Sequence, residues 1–386
     1  MNIGKKLKSL LQKNKKYFNY LKHLTLKYPK KNDLLVYDVV GSEEIKKILF
    51  PDRDFTVLAV RGEWFSVHPI LIIKVLYYTV IKKIRLRMSY DLAFISLVKP
   101  KLLITLIDNN HNFHRLAKYY KSEFVCIQNG FRSHNCAKEF DEIPTLFCFG
   151  KRDIDLYKDH GVKLNETFPI GSIRSSYFLK DIAPTLENKP TYDICLISEY
   201  LFGMEKPDYE VTEEGVRLLY EWTFILSDYI KRYLDGKNLR MVIAGRQRST
   251  ESAGEKEFYK KYFGNNVEVF PSDKEYLNSY RLSYKSSLVV SYCSTLGFEA
   301  LSWGKKVLFF PHPDEKNLAV DHSKSRFFKT QIGTFEEFES KMNTLLFNLS
   351  LDQFEEEVAK DKEYFMSNHL DTYKIIKSYV DKILDN

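Results

Sequence analysis

Largely apolar runs of four to seven residues recur along the chain, each followed by a stretch where apolar residues return every three or four positions. The first series covers residues 34–40, 56–60, 102–107, 124–128 and 146–149, with a further short run at 167–170. Helical spacing fills 43–49, 70–87 and 113–120 between them. A polar stretch with two prolines, 181–191, interrupts the pattern. A second series follows, with strands at 194–198, 240–244, 267–270, 288–292 and 307–311 and helices at 216–233, 255–262, 274–284 and 297–303. Residues 335–383 have mostly helical spacing. Apolar runs alternating with helices predict βαβ units and parallel sheets covered on both faces. The expected fold class is therefore α/β, with two Rossmann-like domains facing across a cleft. The expected boundaries are an N-terminal domain over 32–180, a linker over 181–191, a C-terminal domain over 192–330 and a helical C-terminal segment over 331–386.

Residues 1–31 follow a different rule. Ile3, Leu7, Leu10, Leu11, Tyr17, Phe18, Leu21 and Leu24 fall near helical spacing, and the segment holds ten lysines, no arginine and no acid. The whole chain has 59 basic and 51 acidic residues, a net charge of +8; without this segment 49 face 51, a balance of −2. Proteins that bind nucleic acid spread basic charge over a folded surface, so no nucleic-acid partner is expected. The pattern predicts a basic amphipathic helix that lies on an anionic inner-membrane surface or docks on the protein's own core.

Composition excludes other classes. With 44% hydrophobic and 28% charged residues the chain is globular, not disordered. Five scattered cysteines with no CxxC suit a reducing compartment and argue against a thiolate zinc site. The longest apolar stretch, 69–84, is broken by Lys74, Lys82 and Lys83, so no spanning helix is expected. The start of the chain lacks the apolar core and cleavage site of a secretory signal. A cytoplasmic protein, peripheral on the inner face of the plasma membrane if the basic helix docks there, is the expectation.

In open α/β sheets ligands bind outside the carboxyl ends of the strands, so the candidate chemistry is sought there. After 102–107 come Asp108, His111 and His114, candidates for a general base. After 124–127 come Gln128, Asn129, Gly130, Arg132 and Ser133, where the glycine permits close approach and the arginine can fork onto an anion. Gly171 and Ser172, with Arg174 behind them, can cradle an anion through backbone N–H groups. In the second series Ser198 and Glu199 end one strand and Arg246 another; a third runs into Ser294, Thr295, Gly297 and Glu299 as a helix begins. Helix-start N–H groups bind phosphate oxygens, the hydroxyls add donors, and Glu299 can accept from ribose hydroxyls. The same residues also suit an ordinary helix cap. Asp153 and Asp155 have the spacing of a metal-binding pair but sit where a helix starts, and are expected to be a first-turn acidic pair. No GxGxxG, P-loop or HExxH pattern is present.

The segment STLGFEALSWGKKV (294–307) resembles the nucleotide-sugar-binding segment of GT-B glycosyltransferases of bacterial surface-polysaccharide assembly. With IDNN (107–110) and IQNGFRS (127–133), the chain resembles the surface carbohydrate biosynthesis proteins of Gram-negative bacteria over roughly 34–330. The resemblance implies a GT-B enzyme that moves a sugar from a nucleotide-sugar donor to a glycan or lipid-linked acceptor, with no metal and no cofactor. The nucleotide would be held by Ser294, Thr295, Gly297 and Glu299, with Arg246 neutralising phosphate charge. The 127–133 stretch is also similar to a segment of capsule Kdo transferases that carries a catalytic acid; here Gln128 and Asn129 stand in its place, and an amide is a poor nucleophile. A CDP-polyol phosphotransferase, a sugar-nucleotide 2-epimerase and a non-catalytic assembly scaffold are the alternatives.

Overall fold

The computed structural model describes residues 24–60, 65–187, 189–204, 214–273, 277–311 and 333–385. The strands are β1 (Leu24–Thr25), β2 (Leu34–Tyr37), β3 (Thr56–Leu58), β4 (Phe65–Ser66), β5 (Leu102–Thr105), β6 (Glu123–Ile127), β7 (Glu142–Cys148), β8 (Lys163–Pro169), β9 (Tyr192–Ile197), β10 (Met241–Arg248), β11 (Glu268–Ser272), β12 (Ser286–Ser291) and β13 (Lys306–Phe309). Two parallel sheets result, one in the order β3-β2-β5-β6-β7-β8 and one in the order β11-β10-β9-β12-β13. β1 and β4 form a separate parallel pair. The central strand β2 shows why these runs form strands: all four of its residues are at most 1% exposed, as expected for a strand covered on both faces. Strand order reverses between β2 and β5 in the first sheet and between β9 and β12 in the second, which puts a ligand crevice at the carboxyl ends of those strands.

The two strand series predicted from the apolar runs are both present, and the fold is the α/β pair of Rossmann-like domains. The differences lie in the helices and connections. The helix expected over 70–87 is instead Pro69–Leu76, a π turn at Tyr77–Ile81, and then a separate helix Leu86–Val98. Of the basic helix expected over 1–31, residues 1–23 lie outside the described residues, and from Leu24 the chain is strand and irregular backbone. The stretch 181–191 is not wholly a polar linker. A π turn at Phe178–Ile182 and a short 3₁₀ turn at Ala183–Thr185 open it, and Ile182 and Ala183 join the core of the second domain.

The C-terminal segment does not remain with the second domain. Helix Leu351–Phe365 starts with a Ser350–Gln353 capping box, and the chain then crosses back. The Ser367 N–H donates to the Phe149 carbonyl at 2.8 Å. Helix Thr372–Asp385 buries Ile376, Val380 and Leu384 in the same cluster as Leu34, Val36 and Ile104 of the first sheet. Two glycines make the crossing possible: a Cβ on Gly150 would meet the Tyr364 carbonyl oxygen at 2.4 Å, and one on Gly171, at φ +85°, the Ser367 oxygen at 2.0 Å. Gly171 is therefore a packing residue, not the anion cradle expected of it.

Candidate functional site

The reversal points of the two sheets face each other. Between them lies a cavity of about 220 Å³ lined by Gln128, Asn129 and Ser172 of the first domain and Tyr280, Ser294, Thr295 and Glu299 of the second, among others. A second cavity of about 150 Å³ shares Glu44, Arg174, Ser279 and Tyr280 with it. Small-molecule pockets typically span about 300–1,000 Å³, so the cleft is closed in this conformation.

What closes it is a set of bonds between the domains. The Phe131 N–H donates to Thr295 Oγ1 at 3.3 Å. Ser172 Oγ donates to one oxygen of Glu299, while within the second domain the Tyr280 hydroxyl donates to the other at 2.7 Å. Trp303 Nε1 donates to Ser175 Oγ at 2.6 Å, and the Phe131 and Phe298 rings meet at 4.3 Å. Burial raises the Glu299 carboxyl above the ordinary range, with its two hydroxyl donors opposing the shift. Arg174 forks onto Glu44, at 2.9 and 2.6 Å, across the first-domain wall of the cleft. Tyr280, Glu44 and Arg174 complete a site that the strand-end rule alone did not delimit. Tyr280 sits in a helix, Asn278–Tyr284, and nothing in its local sequence marks it.

Helix Thr295–Ser302 opens into this cavity. Ser294 is its N-cap by backbone position, yet its hydroxyl makes no cap hydrogen bond. Gly297 faces the other way. A Cβ there would meet Phe309 at 2.8 Å and Ser291 at 3.1 Å, so this glycine lets the helix approach the sheet and does not line the cleft.

The residues after β5 and β6 are drawn into one buried ion pair. Asp108 is 1% exposed. Arg132 Nε donates to its Oδ2 at 2.7 Å and Arg132 Nη2 to its Oδ1; the same Nη2 donates to Asn129 Oδ1 at 2.6 Å, and the Asn129 N–H to Asp108 Oδ1 at 3.2 Å. The candidate base and two candidate substrate contacts thus hold one another. Gln128 bridges strand ends, its Nε2 donating to the Gly130 carbonyl at 3.0 Å and its Oε1 accepting from the Phe149 N–H at 2.9 Å. Ser133 caps the short helix His134–Ala137. Gly130 stays half-buried opposite Thr295. Asp153 lies in the first turn of helix Lys151–Asp159, buried beside Arg152.

The two histidines part company. His114 is buried, and its Nε2 donates to the Asp108 carbonyl at 2.7 Å; Nδ1 has no hydrogen-bond partner among the described residues. Burial lowers its pKa from the ordinary 6.5 to about 4, so at neutral pH it is an uncharged core residue. The folded protein therefore binds fewer protons here than the unfolded chain between pH 6.5 and 4. Its contribution is fully present above pH 6.5 and is lost as pH falls towards 4. His114→Gln is expected to flatten that loss by up to about 3 kcal/mol in urea melts across this range; an unchanged slope would place the acid sensitivity elsewhere. His111 is half-buried and lines a different hollow from the interdomain cavity. Its Nε2 meets Glu139 Oε2 at 2.6 Å, its ring stacks on Phe140 at 4.4 Å, and it lines an open hollow of about 650 Å³ with Asn109, Asn110 and Arg115.

Arg246 does not join the cleft lining. Its Nη1 reaches Glu199 at 3.2 Å. Desolvation pushes Glu199 up to about 7, with Arg246 pulling the other way. Beneath them the fully buried Glu255, which sequence reasoning passed over as part of a helical stretch, accepts from Ser198 Oγ at 2.5 Å and from the Arg246 and Gln247 N–H groups at 2.8 and 3.0 Å.

Two Rossmann-like domains with strand ends facing across a closed cleft define a GT-B-like protein. Solved structures of this architecture superimpose over nearly the whole chain. The S. aureus MnaA–UDP complex has a TM-score of 0.55 at 11% identity, covering 92% of this chain and 97% of that one. A variant of the wall teichoic acid polymerase TagF has a TM-score of 0.51 at 11% identity, covering 98% and 96%. At this identity the likeness is one of fold. No curated protein matches the sequence. The chain belongs to the family described as "putative O-antigen biosynthesis protein", whose model matches residues 125–332.

Proposed function

We propose that the chain is a glycosyltransferase of O-antigen or related surface-polysaccharide biosynthesis, moving a sugar from a nucleotide-sugar donor to a glycan or lipid-linked acceptor without a metal. The observation that carries this reading is the start of helix Thr295–Ser302, which opens into the interdomain cavity with the Ser294 hydroxyl unspent on capping. Helix-start N–H groups and their dipole favour a phosphate there, and negative charge builds on the leaving diphosphate as the glycosidic bond breaks. Arg246 lies on β10, two strands away from β12 and paired with Glu199, so in this conformation the helix start acts without it. Thr295 presently accepts the Phe131 N–H. Opening the cleft releases that contact and frees Glu299 from Ser172, making room for the nucleotide; reclosure then excludes water from the transfer.

A thermal-shift panel of UDP, GDP, CDP and CMP tests the site. A nucleotide at about 100 times its Kd stabilises the native form by about 2.7 kcal/mol, and the Ser294→Ala/Thr295→Val double variant is expected to lose most of that gain. If no nucleotide stabilises the protein, or if the double variant responds as the parent does, the phosphate is not held here. Consumption of a sugar nucleotide without added acceptor would instead favour an epimerase.

A further inference from the structure

The helical hairpin between β4 and β5 carries an apolar face that no described element covers. Its inner side is ordinary: Leu71 is buried, and Val75, Tyr78 and Ile84 pack against the first-domain core. Its outer side is not. Ile73, Leu76, Val80, Ile81 and Leu86 are each between 55% and 66% exposed. Scattered exposed apolar residues are normal, but a contiguous patch of them marks a contact surface. Residues 65–90 contain no acid, and Lys82, Lys83 and Arg85 stand exposed beside the patch.

The lysine-rich start of the chain enters at the same edge. β1 pairs with β4 immediately ahead of the hairpin, and the 31 residues that end just beyond β1 hold ten lysines and no acid. The rim of the hairpin and the lysine-rich start carry charge of the same sign. An anionic surface complements both. We propose that the hairpin face seats the protein on a bilayer rich in anionic lipid, its apolar side chains at the boundary between headgroups and acyl chains and its basic rim against phosphates. Among the described residues no helix is long and apolar enough to cross a membrane, so the contact is lateral. The inference is independent of the activity proposed above.

Co-sedimentation of the full-length protein with phosphatidylcholine vesicles, with and without about a third phosphatidylglycerol, is the test. Binding is expected only with the anionic lipid and is expected to weaken in about 0.5 M salt. Ile73→Glu/Val80→Glu is expected to lower the bound fraction roughly tenfold or more at unchanged melting temperature, and Lys82→Glu/Lys83→Glu to act in the same direction. Should the glutamate pair fail to fold, Ile73→Ser/Val80→Ser replaces it. Parental binding by a folded patch variant overturns the proposal and leaves any membrane affinity to the lysine-rich start. Equal binding to neutral vesicles also overturns it, as does a dimer that the patch variant dissolves in a protein without vesicle binding.

Discussion

Asp108→Ala is expected to cost about 3–5 kcal/mol of folding stability, the range for removing one partner of a buried ion pair. The Arg132 side chain is 12% exposed and the Asp108 side chain 1%, so water cannot replace the lost carboxylate. The carboxylate also accepts from the Asn129 N–H and so ties the loop after β5 to the loop after β6. Its loss strands a guanidinium and a backbone donor together. Urea melts report the cost. Asp108→Ala/Arg132→Met is expected to recover a large part of it, because removing both charges with similar bulk leaves no uncompensated ion. If the single variant is within about 0.5 kcal/mol of the parent, the range of an ordinary surface substitution, the pair is not what holds these loops. Because Asp108 is committed to this pairing, its effect on turnover should follow from displaced loops.

How far the sequence disclosed this architecture depends on what each element packs against. Strands such as β2 are legible because burial on both faces leaves no exposed position but clear breaks around them. Helix Leu86–Val98 was hidden by the same physics. Ser89, Asp91, Leu92, Ala93, Phe94 and Ile95 are all buried, so it shows no polar face, and its Asp91 is accommodated by the Tyr37 hydroxyl at 3.0 Å. The helix Thr372–Asp385 could be seen as a helix, but periodicity does not say which domain receives its apolar stripe. Within the site, the strand-end rule picks out loops that line the interdomain cavity, those of Gln128, Asn129, Ser172 and Ser294. It could not say which polar groups would satisfy one another: Asp108 with Arg132 is a contact over 24 residues, and Ser172 with Glu299 one over 127. Glycines were the most misleading signal, since Gly171 and Gly297 serve close packing that only the tertiary fold reveals.

With Asp108 paired and His114 buried, His111 is the remaining candidate for the acceptor's base, and His111→Ala is expected to lower turnover by about 10²–10⁴-fold, the range for losing a positioned general base. A carboxylate oxygen accepts, so the contact with Glu139 fixes His111 Nε2 as the donor; the neutral ring then presents a bare Nδ1. Stacking on Phe140 limits ring rotation, and the open hollow around it has room for a glycan hydroxyl. Glu139→Gln keeps a hydrogen-bonding group but removes the charge that orients the ring, so a smaller fall in kcat with KM nearly unchanged is expected. Added imidazole should restore part of the His111→Ala rate, an effect a merely structural histidine would not show. Turnover by His111→Ala within a few fold of the parent would remove His111 from the chemistry and leave the acceptor to be deprotonated by a group outside these strand-end loops.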